Sequence, residues 1–272
     1  MLSFFRFWVE CPSTMLTLLE KLYGPKKSEA RRDFVKLLNS LTSGLDAETR
    51  LVGEDTRGWI QVEITGPDST VVTNYLRKRF GVAQSLTDIH LPLVVRGKIV
   101  DSYKIGYGLY VDLGLSEPRI IDALLPLYRL RSHLVDGRKL SVREMINLFC
   151  LHDNFPLSIR LVKVDVENKE IWAEPSDIQV KLFRNWLSKR VDKVITLGAY
   201  KEKVASAIRK SGVGRYVTKV NELGFLECVV ECKSGTEAPG IIKTLGKYLG
   251  GVQLHAFSPK KVNRVLGVLP PL

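Results

Sequence analysis

Hydrophobic and polar positions alternate through the middle of the chain, and this pattern predicts three short β-strands, at residues 96–100, 107–114 and 122–127. In the second strand, apolar side chains recur at every second residue and therefore share one face, at Leu109, Val111 and Leu113. Gly108 lies between two tyrosines, where a residue without Cβ permits a sharp bend. We expect this bend to bring Tyr107 and Tyr110 to one side, as a platform on which bases stack.

This stretch resembles the S1-type RNA-binding domain, a five-stranded barrel of the OB class. The resemblance spans residues 93–175, and residues 155–174 look like the closing hairpin of that module. The chain departs from the usual pattern in three ways: a longer first loop, Pro126 where many members carry a histidine, and an insert at 129–154. The resemblance implies RNA contacts at Tyr107, Tyr110, Asp165 and Lys169. Barrels of this type also dock on proteins, so both uses stay open.

The residues before the barrel predict a ferredoxin-like β-α-β-β-α-β domain. Phe4–Glu10 is apolar enough for a strand, and the apolar spacing after Ser28 predicts a helix that ends at Gly44. A hairpin at 49–65 and a helix from Pro67 to Phe80 follow. A last strand before His90 would complete the domain.

The residues after the barrel predict the same element order a second time. An amphipathic helix at 177–190 links the two parts. The pattern then predicts a strand, a helix, a hairpin, a helix and a closing strand, at 191–197, 199–211, 215–233, 237–249 and 252–257. Residues 58–82 and 224–252 share a pattern of glycine, strand, polar turn with proline, helix and glycine, which fits either two similar domains or convergence.

The predicted fold is therefore an α+β multidomain chain, with a central S1-like five-stranded OB barrel flanked by two ferredoxin-like domains. We place the ferredoxin-like N-terminal domain at 1–90, the barrel at 91–176, and the basic linker helix with the second ferredoxin-like domain at 177–272. A barrel followed by a helix and a basic α/β domain is broadly similar to the alpha subunit of archaeal initiation factor two. The three-part layout also resembles an uncharacterised archaeal protein family. These resemblances imply a setting in translation.

The barrel insert at 129–154 contains one clear helix, because Ser141 and Glu144 form a capping box ahead of an apolar stripe. It also carries Arg129 and Arg131. The insert serves either as a structural plug on the barrel or as a contact for RNA or a partner.

The excess of positive charge is concentrated in the last third of the chain. The formal net charge is +12, and residues 177–272 hold 17 Lys and Arg against 7 Asp and Glu, whereas the rest is nearly balanced. This distribution predicts that the C-terminal third meets phosphate. The expected RNA-binding cations on the barrel are Lys98, Lys104, Arg129 and Arg131. Those of the last third are Lys181, Arg184, Lys189, Arg190, Arg209, Lys210 and Arg215, with Lys193 a further candidate.

The sequence lacks the motifs of the common enzyme classes. It contains no P-loop, HExxH or GxSxG motif, and its four histidines are isolated along the chain. The four cysteines show no CxxC pairing and suggest reduced, buried thiols. Asp112, Asp122 and Asp165 are better explained as turn and strand-end residues than as a metal site. We therefore expect no catalytic residues, no metal and no cofactor.

The expected function is that of a non-enzymatic RNA-binding factor. We expect it in the cytoplasm, because no apolar run is long enough to span a bilayer. Its expected partners are ribosomal RNA, with the small subunit favoured, and ribosomal proteins, but no membrane. The alternative is a protein-docking subunit of an exosome-like RNA-processing assembly or a transcription assembly. The sequence leaves open whether the chain is a monomer or a homodimer.

Overall fold

The computed structural model describes residues 13–85, 91–115, 120–165 and 167–267, which form three β-sheets with helices packed against them. One sheet lies in the N-terminal third, the second closes into a barrel, and the third lies in the C-terminal third. The α+β multidomain plan with a central five-stranded barrel is therefore confirmed.

The N-terminal domain has a three-stranded antiparallel sheet in the order β1-β3-β2 with two helices. Its elements are β1 (Thr14–Lys21), α1 (Lys27–Leu41), β2 (Glu48–Glu54), β3 (Trp59–Thr65) and α2 (Ser69–Phe80). Apolar residues at helical spacing, such as Phe34 and Leu38, form one core with the strand residues Leu18, Ile60 and Val62.

Two strands of this domain differ from the sequence-based expectation. The strand expected at Phe4–Glu10 lies outside the described residues. The first described strand is β1, which we did not predict because its apolar residues do not alternate. They do not alternate because both faces of β1 are covered near its end, with Leu18 in the helix-covered core and Lys21 bound to Asp112 of the barrel. The strand expected before His90 also falls on residues outside the described ranges, and Val82 makes an isolated bridge to Leu18.

The barrel closes in the order β4-β5-β6-β8-β7. Its strands are β4 (Leu93–Val100), β5 (Gly108–Asp112), β6 (Ala123–Pro126), β7 (Pro156–Asp165) and β8 (Glu170–Pro175). The predicted alternation holds, because the side chains of Leu109 and Val111 are fully buried in its core. A close approach requires Gly108: an added Cβ would lie 2.6 Å from the carbonyl oxygen of Leu125 on β6.

The insert at 129–154 carries two helices instead of the one expected, α3 (Leu127–Leu134) and α4 (Val142–Phe149). α4 begins with the predicted capping box: the Ser141 hydroxyl accepts from the Glu144 N–H at 3.2 Å, and the Glu144 carboxylate accepts from the Ser141 N–H at 2.6 Å. Apolar residues of both helices join the core of the barrel, which supports the role of a structural plug.

The C-terminal third has the predicted element order. It contains α5 (Asp177–Ser188), β9 (Lys193–Leu197), α6 (Lys201–Ser211), β10 (Val217–Glu222), β11 (Glu227–Cys232), α7 (Ala238–Leu245), β12 (Gln253–Phe257) and α8 (Pro259–Val265). The sheet order is β10-β11-β9-β12. α8 lies beyond the predicted elements.

The barrel and the C-terminal domain share one hydrophobic core, so α5 is more than a linker. The ring of Phe183 on α5 contacts that of Phe149 with centroids 5.1 Å apart, and Trp186 contacts Phe257 of β12 at 5.1 Å. All four side chains are almost fully buried. The boundary drawn at residue 176 therefore separates two sequence segments whose apolar faces are buried against each other.

Candidate nucleic-acid interface

A row of partly exposed side chains crosses the outer surface of the barrel. Directly opposed residues in neighbouring strands pair Val100 with Tyr110, Tyr110 with Leu124, Leu124 with Trp172, and Trp172 with Lys163. Opposed residues in a ladder point to the same face, so the five side chains form a continuous stripe. We call this stripe the outer row. It presents two aromatic rings and ends at a cation.

Tyr107 lies beside the outer row, on the same side as Tyr110. Its side chain is 58% exposed, and its hydroxyl lies 3.2 Å from the hydroxyl of Tyr110. The hydrogen bond with Tyr107 raises the pKa of Tyr110 above its usual range. The Tyr110 hydroxyl is therefore neutral at physiological pH, and the two neighbouring rings present faces on which bases can stack.

Trp172 is a member of the outer row that we did not single out from the sequence. The signal was available, because Trp172 lies between the apolar Ile171 and Ala173, and when these two face the barrel core, strand alternation turns Trp172 outward. The indole is partly exposed, and its N–H donates to Glu170 at 3.3 Å.

The charged candidates around the barrel face are held in local pairs. Lys104 is exposed and donates to Asp101 at 2.8 Å, a hydrogen bond that raises the pKa of Lys104. Asp165 accepts from the side chain and backbone of Asn168, which lowers the pKa of its carboxyl to about 2. Asp165 therefore stabilises the β7–β8 turn, whereas Lys169 in the same turn is exposed.

The two arginines of the insert make structural contacts. Arg129 forms an ion pair with Glu174 at 2.7 Å and lies over the ring of Tyr128. The Arg131 side chain donates to the carbonyl oxygen of Leu140 at 2.7 Å, which holds the two insert helices together.

Lys98 has to be removed from the expected RNA contacts because it is buried. It is 1% exposed, and its ammonium donates to Glu227 at 2.7 Å and to Glu20 at 3.0 Å. These carboxylates belong to the C-terminal and N-terminal domains, so Lys98 joins all three domains. Lys193 is also buried and donates to the carbonyl oxygens of Trp186 and Val191, and burial lowers its pKa.

Most of the C-terminal candidates are exposed and, among the described residues, have no ion-pair partner: Lys181, Arg184, Arg190, Arg209, Lys210 and Arg215. Lys189 differs, since it pairs with Glu231 at 3.0 Å. Arg215 lies over the exposed ring of Tyr216, 4.7 Å from its centroid. Further exposed cations that we did not single out are Lys219, Lys233, Lys243, Lys247, Lys260, Lys261 and Arg264.

The histidines were expected to be isolated and the cysteines to be buried, reduced thiols, and one histidine pair corrects the first expectation. The rings of His152 and His255 stack at 3.5 Å. Burial lowers both pKa values, that of His255 to about 4, so both rings are neutral at pH 7. Cys150, Cys228 and Cys232 are buried free thiols. Burial raises the pKa of each thiol.

The aspartates considered as a metal site have protein partners instead. Asp112 is buried and binds Lys21 at 2.6 Å and Arg57 at 2.9 Å. Arg57 also pairs with Asp122 at 2.7 Å. In the described ranges, no group of three or more His, Cys, Asp or Glu side chains is arranged to hold a metal ion. Nor does any helix in these ranges have the length and apolarity needed to cross a membrane.

Three sequence models match consecutive parts of the chain: the DUF2110 N-terminal domain at residues 15–85, the DUF2110 central domain at 92–187, and the DUF2110 C-terminal domain at 191–256. They divide the chain where the structure places its three sheets. No curated protein matches the chain.

Two solved structures show local similarity. An uncharacterised protein from Methanocaldococcus jannaschii is 16% identical, covers 34% of this chain and 97% of its own, and has a TM-score of 0.23. A chain of the a/eIF2alpha–aDim2p–rRNA complex from Pyrococcus horikoshii is 12% identical, covers 46% of this chain and 64% of its own, and has a TM-score of 0.24. At these TM-scores, neither similarity carries an argument about function.

Proposed function

This chain belongs to the DUF2110 family, and we propose that it is a non-enzymatic RNA-binding factor that associates with the ribosome, through ribosomal RNA of the small subunit. The observation that carries the proposal is the outer row with Tyr107 beside it, because it places three aromatic rings on one accessible side of the barrel. Stacking on such rings contributes roughly 1 to 3 kcal/mol per base and tolerates any sequence.

The bases that stack here have to be unpaired. Bases within a helix already stack on each other, so sequence-specific RNA recognition uses loops, bulges and single strands. The outer row runs across all five strands and ends at Lys163. It suits a short unpaired segment whose phosphates reach the cation.

The C-terminal domain supplies the phosphate contacts in this proposal. Its unpaired cations are on exposed side chains of α5, α6 and the residues that follow α6. Each phosphate neutralised by such a cation adds roughly 0.7 to 0.9 to the slope of log affinity against log salt. The C-terminal domain therefore gives non-specific affinity, and the outer row gives selectivity for unpaired bases.

A titration of the full chain with a fluorescent single-stranded RNA tests the stacking. Tyr107→Ala should weaken binding about five- to 150-fold, because one stacked base is lost. Tyr107→Phe should bind almost as the wild type does, because it keeps the ring. Tyr75→Ala is the matched control, since Tyr75 is an exposed tyrosine on α2 of the N-terminal domain. Unchanged affinity of folded Tyr107→Ala would exclude stacking at this position.

Sedimentation tests the ribosomal part of the proposal. We expect the tagged chain to move with ribosomal particles through a low-salt sucrose gradient of cell lysate. A chain that stays at the top of the gradient would leave the RNA-binding proposal standing but remove the ribosome from it.

Protein docking is a second candidate function, favoured by the aliphatic side chains of Val100 and Leu124 within the outer row. The two functions differ in salt dependence. Phosphate neutralisation gives a log affinity that falls linearly with log salt, while docking on an apolar surface does not require this.

A further inference from the structure

A cleft at the junction of the three domains is not used by the proposed function. It has a volume of about 530 Å³, within the range of small-molecule sites. The N-terminal domain contributes residues of α1 and the end of α2, the barrel contributes Arg96 of β4, and the C-terminal domain contributes the start of α6 and the β10–β11 turn. A ligand here would touch all three domains at once.

Aromatic side chains form much of the apolar lining of the cleft. Phe80, Tyr200 and Phe225 all line it. The rings of Tyr200 and Phe225 are nearly parallel, with an interplanar angle of 9°. Phe225 is held in place by an edge contact with the buried Phe34 at 4.8 Å. Fixed aromatic faces of this kind favour a flat, aromatic ligand over a flexible chain.

The polar floor of the cleft offers an acceptor beside a donor. Glu20 is almost fully buried, and its Oε2 accepts from Lys98 at 3.0 Å. Its Oε1 lies 4.0 Å from Nη2 of Arg96, which is beyond hydrogen-bond distance. Within the part of the chain that the structure describes, the Arg96 guanidinium has no other partner. Both residues line the cleft, and both have unused hydrogen-bonding capacity.

We infer that this cleft binds the base of a guanine nucleotide. The Watson–Crick edge of guanine places the O6 acceptor next to two adjacent N–H donors, at N1 and N2. A carboxylate has about four acceptor positions, so Glu20 can accept both donors while it keeps Lys98, and Arg96 donates to O6. Adenine, cytosine and uracil do not place two adjacent donors beside an acceptor. The inference is independent of the proposed RNA binding, because a free mononucleotide tests it.

The mouth of the cleft fits a single phosphate. Three cations with partly or largely exposed side chains lie at this mouth: Lys36, Arg79 and Lys201. Each already pairs with a carboxylate, of Asp33 or Glu222, so a phosphate gains from the cations but is repelled by these acids. With Glu202, which also lines the cleft, three acids balance the three cations, so the mouth has no surplus positive charge to hold a triphosphate.

Calorimetric titration of the full chain with GMP, AMP, CMP and UMP tests the inference. We expect GMP to bind about 5- to 150-fold more tightly than the other three, the discrimination typical of a bidentate base contact. Arg96→Gln should weaken GMP binding by a factor in the same range. Arg32→Gln, at an exposed α1 arginine that does not line the cleft, should leave GMP binding unchanged. Equal affinity for the four nucleotides, or no heat from GMP at millimolar concentration, would overturn the inference.

Competition identifies the source of the guanine. A hairpin RNA with one unpaired guanosine in its loop is titrated against bound GMP, beside a hairpin with uridine at that position. Displacement of GMP by the guanosine hairpin alone assigns the cleft to RNA, while failure of both hairpins to displace GMP assigns it to a free nucleotide. Tyr107→Ala should leave GMP binding intact, so failure of the stacking proposal and failure of this one give different results.

Discussion

Lys98→Met should strongly destabilise the protein, because Lys98 pairs with two buried carboxylates at once. Its ammonium lies 2.7 Å from Glu227 and 3.0 Å from Glu20, and the three side chains are at most 2% exposed. Removing one partner of a buried ion pair typically costs about 3 to 5 kcal/mol, since the remaining charge stays buried. Methionine keeps most of the side-chain volume, so the cost comes from charge rather than from a cavity. We expect the free energy of unfolding to fall by roughly this amount.

Urea denaturation at pH 7 measures this loss, with the exposed Lys104→Met as a matched control that should leave the free energy of unfolding unchanged. A second variant, Lys98→Met with Glu227→Gln, should recover part of the loss because one buried charge is removed.

The dependence of the free energy of unfolding on pH has a definite sign. Burial raises the pKa of Glu227, so its contribution to stability is present below its unfolded pKa and is lost as the pH rises through the folded value. A loss below about 1 kcal/mol for Lys98→Met would refute this account of the junction.

Three further predictions concern other parts of the molecule. Changing Arg209 and Lys210 together to Gln should lower the salt slope of RNA binding by about 1.5, measured by titration at several salt concentrations. Truncation after Pro175 should yield an unfolded or aggregated barrel by circular dichroism, because the buried aromatic rings of α5 and β12 are lost, each worth about 3 to 5 kcal/mol. The stability of the wild type should fall from about pH 6.5 to pH 4, because the unfolded chain protonates His152 and His255 first, and His255→Phe should reduce this fall.

The sequence predicts well those elements whose pattern of apolar and polar residues is set by contact with a single hydrophobic core. β5 alternates because Leu109 and Val111 face the barrel core while Tyr110 between them is partly exposed. The capping box of α4 is likewise local, since Ser141 and Glu144 satisfy each other within one helical turn. Such features follow from spacing alone.

The features that the sequence did not reveal depend on contacts between domains. Alternation correctly placed Lys98 on the outside of the barrel, but a single strand does not show that two other domains cover that surface. β1 lacks alternation for the same reason, because its second face is covered by the barrel. Trp172 is different: alternation did place it outward, and only its parallel pairing with Leu124 shows that it extends the row that contains Tyr110.

The structure also revises the domain boundary that the sequence placed at residue 176. If residues 177–272 were a separate basic domain, their removal would leave an intact barrel. The contact of Phe183 with Phe149 shows that the linker helix completes the barrel's core. The contributions of the barrel and of the basic domain to RNA binding therefore have to be measured with substitutions of exposed residues and not by truncation.

Ultraviolet cross-linking of the full chain to a bound single-stranded RNA, followed by peptide mass spectrometry, shows whether the barrel recognises RNA. We expect cross-links at Tyr107, Tyr110 and Trp172, because stacked bases lie within reach of these rings. These cross-links should persist at salt concentrations that remove contacts to the C-terminal cations. Cross-links confined to the C-terminal domain, with none on the outer row, would contradict the claim that the barrel recognises RNA.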